Sequence, residues 1–453
     1  MLEELSNEQL SRALDLVLNP PIRLLDLSEV VRESRLPQQK IEYVKTEDLE
    51  RALGENAITI FQALDQVISL LPYSSLKDIV DKRDVKLLRV HMEHMRKIVR
   101  GNLKSSDMMP EDAVKEGILL LIPSQRQLNI VKGNWDEWVW RRIAYDGSIT
   151  PDPLRLAREV VEIGEVLKAE RVKVTVAVDS SIYHLLEDDV KKFNVIKLSI
   201  PEGLAKVVYV RDQSVTWFKR PIMGNMALGI RRGEVEVINE IYFKLNMYPI
   251  ARARWALIDK VLYRAYMEGG NFFLVKGDSG VVLLTGVGVR GSNWATFKFL
   301  GELLPEDVRI VGVPLPGYIR DWTIGAVHLD VAFAYLGEVG GVRLALVDPS
   351  RLGMYSLLEY DRRTGYFKPV DLLSLMRELG VTLDEPPRRG QSPITMVNML
   401  NLGRGKVVVD SFNREANEYL RREYGVDVIE VSIPQLEAGG GGVRCATREL
   451  WGV

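Results

Sequence analysis

The sequence predicts an α/β fold, with a mainly helical N-terminal part followed by one strand–helix–strand unit used five times. Three observations carry this prediction. Up to about Arg100, apolar residues recur at helical spacing. From Val172 onward, short runs rich in Val and Ile alternate with amphipathic helical stretches. These runs open near residues 172, 221, 281, 342 and 406, about 50–65 residues apart, at or just above the usual range of repeat architectures.

In the N-terminal part, Leu10, Leu14, Val17 and Leu18 form a first stripe. Ala57–Leu71 and Val85–Val99 carry two more, and Pro20, Pro21 and Pro72 punctuate them. Leu27–Val44 has the outline of a helix-turn-helix, although two packed helices around a Pro-bearing turn explain it more simply. Between Leu103 and Pro153 lies a transitional stretch with Trp135, Trp138, Trp140 and the apolar run Gly117–Pro123. Pro151 and Pro153 set the expected boundary. A mainly helical domain of unknown role then occupies 1–150, and the chemistry falls to 151–453.

The second domain opens on an amphipathic helix from about 153 to 170. Strands are expected at Val172–Val178, Val195–Ser199, Pro221–Leu228, Val281–Gly286, Val308–Val313, Val342–Val347, Lys406–Val409 and Val426–Ile433. Helices are expected near 232–245, 293–303 and 413–423; the stretch after Val347 has no clear period. Residue identity does not visibly repeat between units. Units that cannot bury their own faces must stack or close around an axis.

Composition narrows the function. A net charge of -2 gives no footprint for nucleic acid, which calls for a basic excess. A single cysteine rules out an intramolecular disulfide and suits a reducing compartment, so a cytoplasmic location is expected. The start, MLEELSNEQL, lacks the basic and apolar regions of a signal peptide, and no apolar run nears the roughly 20 residues of a membrane span.

Five acidic, imidazole or thiol positions fall near strand ends: Asp212 in YVRDQ, Glu268 in EGGN, His328 and Asp330 in HLDV, and Cys445 in GGGGVRCAT. Asp212, Glu268 and His328 follow one another at about the unit spacing, and Cys445 comes about two steps later. If the units close around an axis, these side chains converge on it. A guanidinium is a planar cation with donors in a fixed fork, and carboxylates such as Asp212, Glu268 and Asp330 suit its edges. Its carbon is resonance-stabilised, so attack needs a strong nucleophile. A thiolate fits, with a neighbouring His⁺ and Arg444 expected to lower its pKa. His328 would then handle protons.

With YVRDQ, GNMALGIRRGE, EGGN, HLDV and GGGGVRCAT in order, the chain from about Val172 resembles the guanidine-modifying, or pentein, superfamily. It is most similar to arginine deiminases and arginine dihydrolases. The resemblance implies a five-fold pseudosymmetric α/β propeller. It implies that Cys445 attacks the guanidinium carbon to give a covalent thiouronium intermediate, with His328 as acid and base and Glu268 beside it. Asp212 and Asp330 would grip the guanidinium. Arg290 in VGVRGS, and Arg231 or Arg232 in IRRGE, would bind a substrate carboxylate, and Asn271 ends the EGGN block of the substrate site. The implied reaction is L-arginine to L-citrulline and ammonia, without metal or organic cofactor. The expected partner is a small guanidine substrate, in a homo-oligomer that contacts neither membrane nor nucleic acid. The chain departs from the family pattern at Asn271 for Asp, Gln213 for Pro, Lys206 for Asn and Ala446 for Met.

Plainer readings compete. A lone Cys is more often a small buried hydrophobe, but four glycines and Arg444 make a poor core setting. Glu268 before two glycines resembles a helix end with its C-cap. His91 and His94, at i and i+3 without further ligands, and His184 read as helix surface. The glycine run lacks the Lys-Ser/Thr of a phosphate loop. The alternatives in function are a dihydrolase giving ornithine, an amidinotransferase, and a non-catalytic pentein binding protein.

Overall fold

The run Gly117–Ile122 reads GILLLI, and all six residues are buried. A strand apolar on both faces needs a ladder partner on each side and cover above and below. It finds them in Lys173–Asp179, parallel, and in Arg448–Leu450 near the far end of the chain, antiparallel. The fold is known from a computed structural model, which describes residues 103–124 and 151–452 apart from gaps at 202–203, 205, 228–230, 254, 259–260, 289, 317–325, 353–355 and 388–394. The N-terminal stripes, the helix-turn-helix outline, His91, His94 and the three tryptophans lie outside the described residues.

The same three-strand arrangement recurs. Ile222–Met223 pairs antiparallel with Ser214–Val215 and parallel with Ala251–Arg252. Gly280–Val287 lies between Phe272–Gly277 and Val308–Pro314. Val342–Val347 lies between Phe333–Val339 and Val381–Asp384, and Lys406–Asp410 between Leu400–Gly403 and Asp427–Val431. Each central strand has one antiparallel and one parallel neighbour. Parallel pairing demands a long crossover, and helices supply it: Pro153–Ala169, Arg232–Lys244, Trp294–Leu303, Leu372–Glu378 and Arg414–Tyr424. The chain is thus α/β, with five such units among the described residues.

Four expected unit starts, 221, 281, 342 and 406, fall at the central strands of four units. The fifth, at 172, falls on Lys173–Asp179, which lies between Gly117–Ile122 and a further parallel strand, Asn194–Leu198; the strand of that unit with one antiparallel and one parallel neighbour is Gly117–Ile122. This strand precedes the boundary expected at 150, yet its ladder makes it part of the repeated architecture. Pro221–Leu228 yields only a two-residue strand. There Gly224 donates to the Gln213 carbonyl and Asn225 bridges to Met267, which turns the chain aside. The unclear stretch after Val347 has its own cause: Ser356–Tyr360 and Phe367–Asp371 leave their unit to extend the neighbouring sheet.

The local signals are ordinary ones. Asp152 caps the helix Pro153–Ala169 by accepting from Arg155 N, with Pro153 in the first turn. Its stripe Leu156, Val160, Ile163 and Leu167 packs on Ile118, Leu120 and Val176. Gly425, at φ 66°, ends the helix Arg414–Tyr424 in the left-handed conformation. One identity does repeat. Asp179, Asp348 and Asp410 each follow a Val at the end of a strand, and each accepts a backbone N–H two residues on.

Candidate active site

Every expected site residue that sits ahead of a strand does so at the same place in its unit: just before the strand antiparallel to the central one. Asp212 precedes Ser214–Val215, Glu268 precedes Phe272–Gly277, His328 and Asp330 precede Phe333–Val339, and Cys445 precedes Arg448–Leu450. Glu268 and His328 each start a short 3-10 turn from an extended backbone. Glu268 therefore does not end a helix, and Gly269 and Gly270 are not its C-cap.

The side chains meet. His328 Nε2 lies 2.6 Å from Glu268 Oε2, and its Nδ1 lies 3.4 Å from Asp212 Oδ1. Cys445 Sγ is 3.8 Å from Asp330 Oδ2. A Cβ placed on Gly270 would stand 2.9 Å from both Asp212 Oδ1 and His328 Nδ1 and 3.1 Å from Asp330 Oδ2. Gly270 therefore borders the space these groups share. All five side chains are buried.

Charge is arranged unevenly across this space. Burial alone would raise the Asp212 carboxyl, but His328, Arg231 and Arg290 hold it far below the usual carboxylate range. Burial is likewise overcome at Glu268, where Arg290 and the hydrogen bond from His328 bring it to about 2. At Asp330 burial prevails over Arg444, and the carboxyl is raised. Cys445 is pushed well above the ordinary thiol range, first by burial and then by the Asp330 and Asp212 carboxylates.

The lowering expected from Arg444 and His328 thus does not prevail at the thiol. The Arg444 guanidinium is engaged by Asp330 at 3.0 Å and by both oxygens of Glu111 at 3.0 and 3.1 Å. Arg290 and Arg231, expected on a substrate carboxylate, lie against carboxylates of the protein. Arg290 donates to Glu268 at 2.9 and 3.2 Å. Arg231 reaches Asp212 at 2.7 Å and forks onto Glu234, whereas Arg232 turns to the backbone carbonyls of Met226 and Ala227. Of the pair, Arg231 is the one in the site. Asn271 donates to Arg290 O at 2.9 Å and accepts from Leu329 N at 3.2 Å. Its amide ties two site loops together, a task for which an Asp lacks the donor, and both of its ends are engaged by backbone groups. Gln213 similarly donates to Glu234 at 2.8 Å. Lys206 is buried with its ammonium 5.9 Å from the Tyr209 ring centre. His184 is exposed on the helix Tyr183–Val190.

Asn398 was missed. Its Nδ2 lies 3.1 Å from Cys445 Sγ and 3.1 Å from Asp330 O, and its Oδ1 accepts from Cys445 N at 3.2 Å. It precedes Leu400–Gly403, the equivalent place in the remaining unit. The double step from His328 to Cys445 was the available signal, since it skips one unit. An amide carries no charge and drew no attention.

Asp212, Glu268 and His328 also offer atoms within 4.8 Å of one another, a grouping able to hold a cation. Arg231 and Arg290 already lie on those same carboxylates, and their charge opposes a metal ion there.

The Glu268 contacts give a pH dependence. Its folded pKa of about 2 lies below its ordinary value of 4.5, so it stabilises the fold above pH 4.5. That contribution is lost as the pH falls from 4.5 towards 2. Glu268→Gln is expected to flatten the acid limb of a denaturation profile over this window. An unchanged limb would detach acid stability from this carboxylate.

Comparison with known proteins adds the following. Residues 393–451, which include Asn398 and Cys445, match the family model described as arginine deiminase. The uncharacterized protein YkgA of Bacillus subtilis (strain 168) is 25% identical over 257 residues, 56% of this chain and 73% of that protein. A structure of DDAH from Pseudomonas aeruginosa, complexed with citrulline, is 16% identical with a TM-score of 0.46, covering 74% of this chain and 99% of the other. ArgZ, an arginine dihydrolase from the ornithine–ammonia cycle in Cyanobacteria, is 15% identical with a TM-score of 0.47, covering 74% and 40%. Structural likenesses at this level carry no inference about chemistry. The resemblance to guanidine-modifying enzymes rests on the family match and the ordered blocks.

Proposed function

We propose that this chain, similar to arginine deiminases over the segment that carries its thiol, is a cysteine hydrolase of a guanidino compound. One observation carries the reading. Asp212 Oδ1 and Asp330 Oδ1 are buried and accept no hydrogen bond from any described residue. The two carboxylates border one space, with Asp212 Oδ1 and Asp330 Oδ2 beside Gly270, and buried carboxylates with an unpartnered oxygen are costly unless a cationic donor joins them. A guanidinium supplies planar N–H groups for both at once.

The charge pattern then gives a sequence of events. By themselves, Asp330 and Asp212 disfavour a thiolate at Cys445. A cation seated between them cancels that field, so the thiol yields its proton to His328 and the nucleophile forms when its target is present. The sulfur attacks the guanidinium carbon and an S–C bond forms. The C–N bond to the departing nitrogen breaks, and ammonia leaves with a proton from His328. Water then adds to the same carbon, giving one proton to His328; the S–C bond breaks and the remaining hydroxyl proton returns to the departing sulfur, restoring the thiol. The sum is guanidine plus water to ureide plus ammonia. Glu268 holds His328 from behind at 2.6 Å throughout. Asn398, donating to Sγ, steadies the thiolate.

The substrate we propose is L-arginine, with L-citrulline as product. We further infer that the five units close around one axis, since Arg448–Leu450 completes the sheet of Gly117–Ile122 and the site residues share one end. We also propose a helical N-terminal domain, a homo-oligomer and a cytoplasmic location; among the described residues no helix is long and apolar enough to cross a membrane. The test is product analysis with arginine, agmatine, dimethylarginine and citrulline. One ammonia per citrulline is expected from arginine. Two ammonia per ornithine would assign a dihydrolase, and turnover only with an acceptor amine an amidinotransferase. Inertness towards all four would sink the hydrolase reading and favour a binding protein.

A further inference from the structure

Glu111 lies upstream of the family resemblance, in the segment that enters the first central strand. That segment is pinned across three units. Met109 N donates to Trp217 O, Glu111 N to Leu274 O and Lys115 N to Leu402 O. Lys115 turns its ammonium back onto Glu111 O and Ala113 O at 2.5 and 2.9 Å. The effect is to insert the Glu111 side chain, only 10% exposed, behind Arg444.

Arg444 is held as rigidly. Its guanidinium bridges Glu111 and Asp330, donates to Phe272 O at 2.9 Å and lies 4.1 Å from the centre of the Phe273 ring. It neighbours Cys445 in sequence and shares Asp330 with it. Two more guanidiniums stand near it on a single carboxylate: Arg211 forks onto Glu449 at 2.7 and 2.8 Å, and Arg448 joins it at 3.2 Å. Lys115 contributes its positive charge nearby. On the Cys445 side stand Asp330, Asp212, His328 and Glu268.

We propose that Glu111 is a positioning residue that neutralises Arg444, so that Asp330 keeps its negative charge for a cationic substrate. A guanidinium shared between two carboxylates leaves one negative charge over; a guanidinium facing Asp330 alone leaves none. Removing Glu111 therefore has two opposite consequences. The site loses attraction for a cation, and Cys445 is relieved of one net negative charge on the Glu111–Arg444–Asp330 group, which favours its thiolate. A purely structural role for Glu111 predicts no such downward shift of the thiol.

The inference concerns the site whose chemistry is proposed above, but its main readout needs no substrate. The rate of Cys445 alkylation by iodoacetamide is measured against pH in the native chain, in Glu111→Gln and in Glu111→Asp. Glu111→Gln is expected to lower the thiol's apparent pKa by about one unit and to raise KM for a guanidine about tenfold with kcat changed less. Glu111→Asp keeps the charge but withdraws it by one methylene, so a smaller shift in the same direction is expected. Should Glu111→Gln fail to fold, that partial shift carries the test. No shift in the folded variants, or an upward one, overturns the proposal. A downward shift in a chain inert to guanidines would remove the hydrolase reading and leave this inference standing.

Discussion

Cys445→Ser is expected to abolish guanidine turnover, with a loss on the order of 10⁴-fold or more, while leaving the thermal unfolding midpoint nearly unchanged. The reason lies in the target. A resonance-stabilised guanidinium carbon yields to a thiolate, and a serine hydroxyl without a base strong enough to form the alkoxide does not replace it. Among the described residues, the side chains within hydrogen-bonding reach of Sγ are Asn398 at 3.1 Å and Asp330 at 3.8 Å, an amide and a carboxylate, and neither is such a base. The substrate cradle of Asp212 and Asp330 stays, so binding of arginine should survive the substitution. Ammonia release and calorimetric binding, measured on the same preparation, separate the two effects. Full activity in the serine variant would remove the nucleophile assignment.

Gly270→Ala is expected to cost on the order of 100-fold in kcat/KM. The added methyl would stand 2.9 Å from Asp212 Oδ1 and His328 Nδ1, closer than real Cβ contacts come. Those atoms cannot easily retreat. Asp212 is held by Arg231 at 2.7 Å and His328 by Glu268 at 2.6 Å. The methyl must therefore displace the carboxylate or fill the place proposed for the guanidinium. Gly270 is buried in a described turn with an ordinary backbone, so the fold itself should lose only about 1–3 kcal/mol to the overpacking. Kinetics and denaturant unfolding together check this. A variant with native kcat/KM would show that the ligand does not enter the space Gly270 borders.

The sequence alone carried much of this site, for a definite reason. Strand ends with short polar blocks are local features, and the regular step between Asp212, Glu268 and His328 reflects a repeat that chain order preserves. The α/β class, most strand and helix positions and the thiol were legible in this way. Other features depend on which units meet. Gly117–Ile122 reads as an apolar run of uncertain use until Arg448–Leu450 pairs with it from the other end of the chain. Asn398 has no charge or unusual neighbour to mark it. Its importance comes from lying within reach of Cys445, 47 residues further on.

The charges show the division most clearly. Sequence put Arg444, Arg290 and one of Arg231 and Arg232 near the chemistry, and in the structure Arg444, Arg290 and Arg231 lie against Asp330, Glu268 and Asp212. It assigned Arg444 to the thiol and the other two to a substrate carboxylate, because a lone cation in a motif has no visible partner. Folding supplied the partners: Glu111 and Asp330 for Arg444, Glu268 for Arg290, Asp212 and Glu234 for Arg231. A buried charge takes its role from the counter-charge beside it, and that pairing spans hundreds of residues. Residue types and their spacing thus determined the class of chemistry. Only the tertiary structure decided which cations balance which carboxylates, and which oxygens of Asp212 and Asp330 accept no hydrogen bond from a described residue.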